Sequence, residues 1–146
     1  MVVLDSSALI AHINGKDLWH KKADAIATFI AYTERHVILP SEVFAETLNR
    51  LGNNIGRQAA VRAGRALLAR HAAGDLLLTH SNPTLAAASL ALLQTVEAPH
   101  DKRPSYVDCL LMATADFYAT REIFGFDAVF PQNGYSLPGT SELQAA

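Results

Sequence analysis

Four acids stand where this chain could do chemistry: Asp5, Glu46, Asp108 and Asp127. Asp5 closes the apolar run Val2-Val3-Leu4 and is followed by two hydroxyls, Ser6 and Ser7. A short Val/Leu run of this kind reads as a buried strand, and the carboxyl end of a strand in an open α/β sheet is where ligand sites form. Asp127 ends a second such run, while Asp108 and Glu46 each fall one turn inside a helix that follows a strand or loop. Strand ends and helix first turns of a parallel sheet crowd one edge, so the four carboxylates could face one cavity. Gathered there, they repel and raise one another's pKa unless a cation neutralises them. Hard oxygen ligands select Mg²⁺ or Mn²⁺, and Mg²⁺ keeps several waters and completes its shell with substrate phosphates. The chemistry is metal-assisted phosphodiester hydrolysis by an activated water. Ser7, two residues after Asp5, is positioned to hold a metal-bound water or a phosphate oxygen.

Each acid also has an ordinary reading. Asp5-Ser6-Ser7 can cap a helix, and Ser105-Tyr106-Val107-Asp108 has capping-box spacing. Glu46 and Arg50 are an i, i+4 pair, and Asp127 can be a turn residue. Glu42, in a helix first turn, suits the helix dipole better than a metal. Asp116 lies some 80° round the helix from Asp108 by ideal geometry and is kept out of the site. The six histidines lack the i, i+4 pairing of a helical zinc site. Cys109 has no evident base or resolving partner and reads as a packed residue.

The elements that must position these residues alternate. Val2 to Leu4 is a strand, Ala8 to Ile13 a helical turn, and Asp17 to Arg35 an amphipathic helix with Ala23, Ile26, Phe29, Ile30 and Thr33 on one face. His36 to Leu39 is a second strand, stopped by Pro40. Ser41 caps a helix to about Leu51 with Val43, Phe44, Thr47, Leu48 and Leu51 inward. Gly52 to Gly56 breaks the chain, and a helix from Arg57 to Ala72 turns Val61, Leu67 and Leu68 inward. Asp75 to Thr79 is a third strand. Asn82-Pro83 opens an Ala/Leu-rich helix to Val96, Glu97 to Arg103 is a loop, and Ser105 caps a long helix to about Thr120 that buries Val107, Leu110, Leu111, Thr114, Phe117 and Tyr118. Glu122 to Phe126 is a fourth strand and Tyr135 to Leu137 a fifth. The alternation predicts an α/β fold with a parallel sheet.

The totals agree with one domain. A chain of 146 residues buries about 70% of its unfolded surface in a single core. Its apolar runs are too short for a bilayer and no leader precedes the first strand, so the expectation is a soluble, cytoplasmic protein. One cysteine excludes an internal disulfide and a cysteine-based zinc site. The net charge is −2, yet Thr47 to Gly74 holds five arginines and no acid, and from Ala98 onward six acids face three bases. A basic middle and an acidic end suit a polyanion held against an acid-lined metal site.

Four stretches in order, Val2-Val3-Leu4-Asp5-Ser6-Ser7-Ala8, Pro40-Ser41-Glu42-Val43-Phe44-Ala45-Glu46-Thr47-Leu48, Ser105-Tyr106-Val107-Asp108 with Ala113-Thr114-Ala115, and Gly125-Phe126-Asp127-Ala128-Val129-Phe130, resemble a PIN-domain ribonuclease of the VapC toxin type. The resemblance runs from residue 2 to about 137, which makes residues 1–137 a PIN-like nuclease domain and 138–146 a C-terminal tail. It implies a three-layer α/β/α fold around a parallel sheet and a Mg²⁺ or Mn²⁺ site made by Asp5, Glu46, Asp108 and Asp127. It further implies RNA cleavage, homodimerisation, and inhibition by a cognate VapB-like antitoxin whose C-terminal segment enters the groove. The chain departs from the family at Gly125, where Thr or Ser is usual two residues before the last acid. Loss of that hydroxyl motivates the alternative, a catalytically silent domain of the same fold that binds RNA or protein. A phosphoacceptor role for Asp5 would need an adjacent acid and a nearby lysine, and neither is evident.

Overall fold

The computed structural model describes residues 1–98 and 103–140. In chain order they form β1 (Val2–Leu4), α1 (Ser6–Ile13), α2 (His20–Tyr32), β2 (Val37–Pro40), α3 (Ser41–Ile55), α4 (Arg57–Ala72), β3 (Leu76–Thr79), α5 (Pro83–Thr95), α6 (Tyr106–Phe117), β4 (Ile123–Phe124) and α7 (Val129–Gln132). The four strands make one parallel sheet in the order β3-β2-β1-β4. Every residue of β1 and β2 is buried. Since successive strand side chains point to opposite faces, both faces of the sheet are covered, which gives the three-layer α/β/α architecture.

The strand order reverses its direction of growth at β1. The chain steps outward from β1 to β2 and β3, then returns to place β4 on the other side. A parallel sheet opens a crevice at such a switch point, outside the strand carboxyl ends. Asp5 follows β1 there, and Gly125 to Asp127 follow β4.

On one side α6 packs on β1 and β4 and pairs with α5, and residues Cys109 to Ala115 are buried without interruption. A helix apolar all round belongs inside. On the other side α1 contacts α2 and α3, and α3 contacts α4.

The boundaries differ from the sequence reading in ways with physical causes. Helix α3 runs through Gly52 to Ile55 and stops at Gly56, whose φ is 102°. A Cβ at Gly52 would lie 3.8 Å from that of Ala60, and one at Gly64 only 3.0 Å from Leu48. The contact at Gly64 is tight and that at Gly52 ordinary, and the roughly 1 kcal/mol that a glycine costs within a helix does not stop α3, which packs on α4. Ser41 is the first helical residue and not the cap, which is Pro40. Helix α2 begins only at His20 because the Asp17 carboxylate accepts the Trp19 amide (2.8 Å) and makes a turn. Val61, Leu68 and Phe117 are exposed, against expectation. The fifth strand is a single parallel bridge between Glu122 and Ser136, and β4 has only two residues. Pro138 and Gly139 are buried, with Gly139 against the ring of Phe29. The middle of the 97–103 loop and residues 141–146 of the expected tail lie outside the described residues.

Candidate active site

At the end of β1 the backbone amide of Asp5 donates to the carbonyl of Phe124 in β4 (3.0 Å). The two strand ends are thereby tied at the switch point. Asp5 takes the N-cap position of α1, yet its side chain makes no capping hydrogen bond. Instead Oδ2 accepts the Ser7 hydroxyl proton at 2.6 Å, and the same hydroxyl oxygen accepts the amide of Phe126 at 3.1 Å. Ser7 thus commits its only proton to Asp5 while its oxygen ends the β4 ladder.

Asp5, Ser7, Glu46, Asp108 and Asp127 line one cleft of about 550 Å³, together with Asp17, Trp19, Arg50, Arg103 and Phe126. Asp5 is its floor, only 6% exposed. Burial pushes its carboxyl up to about 6; the bond from Ser7 and the backbone at Ser6 oppose this, and the charges of Asp108 and Glu46 add to it. Three carboxylates therefore act on one another across the cleft, as like charges in low dielectric must.

The remaining acids sit on its walls. Asp108 closes a true capping box: its Oδ2 accepts the Ser105 amide (3.0 Å) and Ser105 Oγ accepts the Asp108 amide (3.1 Å). The ordinary reading of this residue holds, and the cap also fixes its carboxylate at the mouth of the cleft. Glu46, half-buried on α3, makes no hydrogen bond or ion pair with another described residue. Its expected partner Arg50 reaches the Ser6 hydroxyl instead, at 3.5 Å. Asp127 lies three residues beyond β4, where its Oδ1 accepts the Val129 amide (3.0 Å) and starts α7. Glu42 is turned to Ser81, whose hydroxyl donates to it at 2.6 Å, and is not part of the cleft wall. Asp116 accepts from Tyr135 (2.7 Å) and Arg121 (3.2 Å) on the far side of α6. Cys109 is buried, and burial followed by the Asp108 charge raises its thiol pKa.

Gly125 is explained by contact. A Cβ there would meet Asp5 Cβ at 2.7 Å, Phe130 Cε2 at 2.8 Å and Asp5 Oδ2 at 3.0 Å. The β4 backbone approaches the floor acid so closely that no side chain fits.

The donor chemistry suits a divalent cation: an open, all-carboxylate set around an acid that burial, and to a lesser degree its acidic neighbours, make costly to ionise. Among the described residues no three acidic, His or Cys side chains stand close enough to cage an ion directly. Sequence reasoning missed Trp19, Asp17 and Arg103 as walls of the cleft. Of the five clustered arginines, only Arg50 lines it.

A parallel α/β domain with carboxylates at its sheet switch point defines a class of acid-site domains. This chain belongs to the PIN domain family, whose sequence model matches residues 2–134. Among solved structures it is similar to Mycobacterium tuberculosis VapC20, described as a Sarcin-Ricin loop cleaving toxin. The two are 22% identical over 93% of this chain and 97% of that one, with a TM-score of 0.75. At this identity the likeness speaks for the fold. No curated protein matches the chain. Among the described residues no helix is long and apolar enough to cross a membrane.

Proposed function

We propose that this chain is a metal-dependent endoribonuclease of the VapC type, the toxin of a toxin–antitoxin pair. The observation that carries the reading is the cleft itself, which Glu46, Asp108 and Asp127 line together with the buried Asp5, an acid that burial makes costly to ionise. Membership of the PIN domain family and the fold shared with a Sarcin-Ricin loop cleaving toxin support it.

The four acids would hold Mg²⁺ or Mn²⁺, which when bound would supply Lewis acidity toward phosphate oxygens and acidify water. Ser7 keeps the Asp5 carboxylate oriented and ties it to Phe126. Arg50 and Arg103 on the cleft wall attract the RNA backbone. In the reaction a water oxygen adds to phosphorus, the bond from phosphorus to the leaving ribose oxygen breaks, and that oxygen takes up a proton. The same reading carries a VapB-like antitoxin whose C-terminal segment occupies the groove, a homodimeric state and a cytoplasmic site of action.

The silent-binder alternative rests on the missing hydroxyl at Gly125. The close approach of that backbone to Asp5 and Phe130 gives the glycine a steric reason of its own. The test is cleavage of a panel of labelled transfer, ribosomal and messenger RNAs by the partner-free protein with Mn²⁺, Mg²⁺ or EDTA. Discrete cuts that vanish with EDTA are expected; a folded protein that cuts none of them contradicts the reading.

A further inference from the structure

The cleft has an aromatic wall as well as an acidic one. Trp19, which precedes α2, stacks on Phe126 with centroids 5.1 Å apart and planes 19° from parallel. Phe124, buried in the core, meets Phe126 edge-on at 6.1 Å and holds it in place. Lys22, one helical turn beyond Trp19, sets its ammonium 5.3 Å from the Trp19 ring and 5.7 Å from the Phe126 ring. Neither ring is sealed inside: Phe126 is half-buried against the core. Trp19 is 50% exposed, its neighbour Leu18 wholly so, and Trp19 and Phe126 line the same cavity as the acids. The backbone fixes both: the Trp19 amide is held by Asp17, and the Phe126 amide by the Ser7 hydroxyl that also binds Asp5. The aromatic wall and the floor acid are thus two hydrogen bonds apart.

We propose that Trp19 and Phe126 form a stacking shelf for one unpaired nucleobase beside the scissile phosphate, with Lys22 meeting a neighbouring phosphate. The inference deepens the nuclease reading and rests on it. Unpaired bases stack on aromatic rings, whereas a base within a helix offers only its edges. Lys22 over the rings, with Arg50 and Arg103 on the same cleft, supplies cationic partners for the phosphates that flank a stacked base. The shelf therefore selects single-stranded loops or ends and sets the position of the cut relative to the stacked base.

Trp19 is the chain's one tryptophan, so its fluorescence reports on the shelf without a label. The titration uses metal-free protein in EDTA with a short single-stranded RNA, the same strand in a duplex, and a series of that strand with one abasic position each. Saturable quenching by the single strand is expected, together with roughly tenfold or weaker binding when the shelf base is removed. In cleavage assays with Mn²⁺, Trp19→Ala raises KM about tenfold with a smaller effect on kcat, because stacking stabilises ground and transition states alike. Trp19→Phe restores most of the loss. Equal binding of intact and abasic strands overturns the shelf, since phosphate contacts alone would then remain. RNA-insensitive fluorescence overturns it too and leaves the rings to a protein partner, as does Trp19→Ala cutting the same bonds at the parent KM. Each of these leaves the nuclease reading intact. Quenching by RNA that the parent protein never cuts supports the shelf and sinks the nuclease instead.

Discussion

At the scale of single residues the account turns on Asp5. It was legible in the sequence because an acid closing an apolar run is a strand-end signature, and its companions fell at another strand end (Asp127) and about one turn inside two helices (Glu46, Asp108). What could not be read was its surroundings: the hydroxyl of Ser7 has one proton, and only the fold shows that Asp5 takes it. Burial raises the Asp5 pKa to about 6 from 3.8. The folded protein then holds the proton more tightly than the unfolded chain, so this group's stabilising contribution is complete below about pH 4 and lost as pH rises through about 6. By the size of the shift the loss is roughly 3 kcal/mol at most. We therefore expect metal-free Asp5→Asn protein to outlast the parent in urea at pH 7.5 and to lose this advantage near pH 4. Parallel urea titrations in EDTA at both values check this; a parent as stable as the variant at pH 7.5 contradicts it. The same substitution removes an acid from the proposed metal set, so gain in stability and loss of function should travel together.

At the scale of elements the sheet was visible and several ends were not. Helices α2 and α6 stop through Glu34 and Ala119, which adopt positive φ of 52° and 53°. Glycine or asparagine normally takes that position, and without them the sequence carries no stop signal. Tyr135 to Leu137 has strand-like residues, but Gly134 turns the chain so that a single bridge forms. At the end of β4, the Phe126 amide goes to Ser7 and not to a neighbouring strand. Gly125 looked like a missing hydroxyl, whereas it marks a close approach of backbone to Asp5 and Phe130. Restoring the hydroxyl should thus do harm. Gly125→Ser forces the buried Phe130 ring or Asp5 to move, and overpacking of this kind costs about 1–3 kcal/mol. The expected outcome is a Tm lower by several degrees and slower cleavage, read by thermal unfolding and an RNA assay. A variant equally stable and faster than the parent would mean that the glycine is a defect in the site.

At the scale of the whole molecule one topological fact does most of the positioning. Strand order β3-β2-β1-β4 makes β1 the switch point, which brings residues separated by more than a hundred positions to one cleft. Periodicity and the resemblance to PIN-domain ribonucleases pointed to a parallel sheet, and neither carried this order, which only the fold shows. The charge pattern was only partly informative. A basic middle was readable, yet of its five arginines Arg50 alone lines the cleft, joined by Arg103 from a loop that seemed featureless. The central claim is that the acids of this cleft hold the cation that cuts RNA. Its most direct test is single-turnover cleavage of a cut RNA with Mn²⁺ by the parent, Asp5→Asn and Asp108→Asn proteins, each shown to be folded. The account predicts a fall in rate of roughly 100-fold or more for both variants, of the size seen when a key electrostatic group leaves an active site. Parent-like rates in either variant, or cleavage by the parent that EDTA leaves untouched, would contradict it.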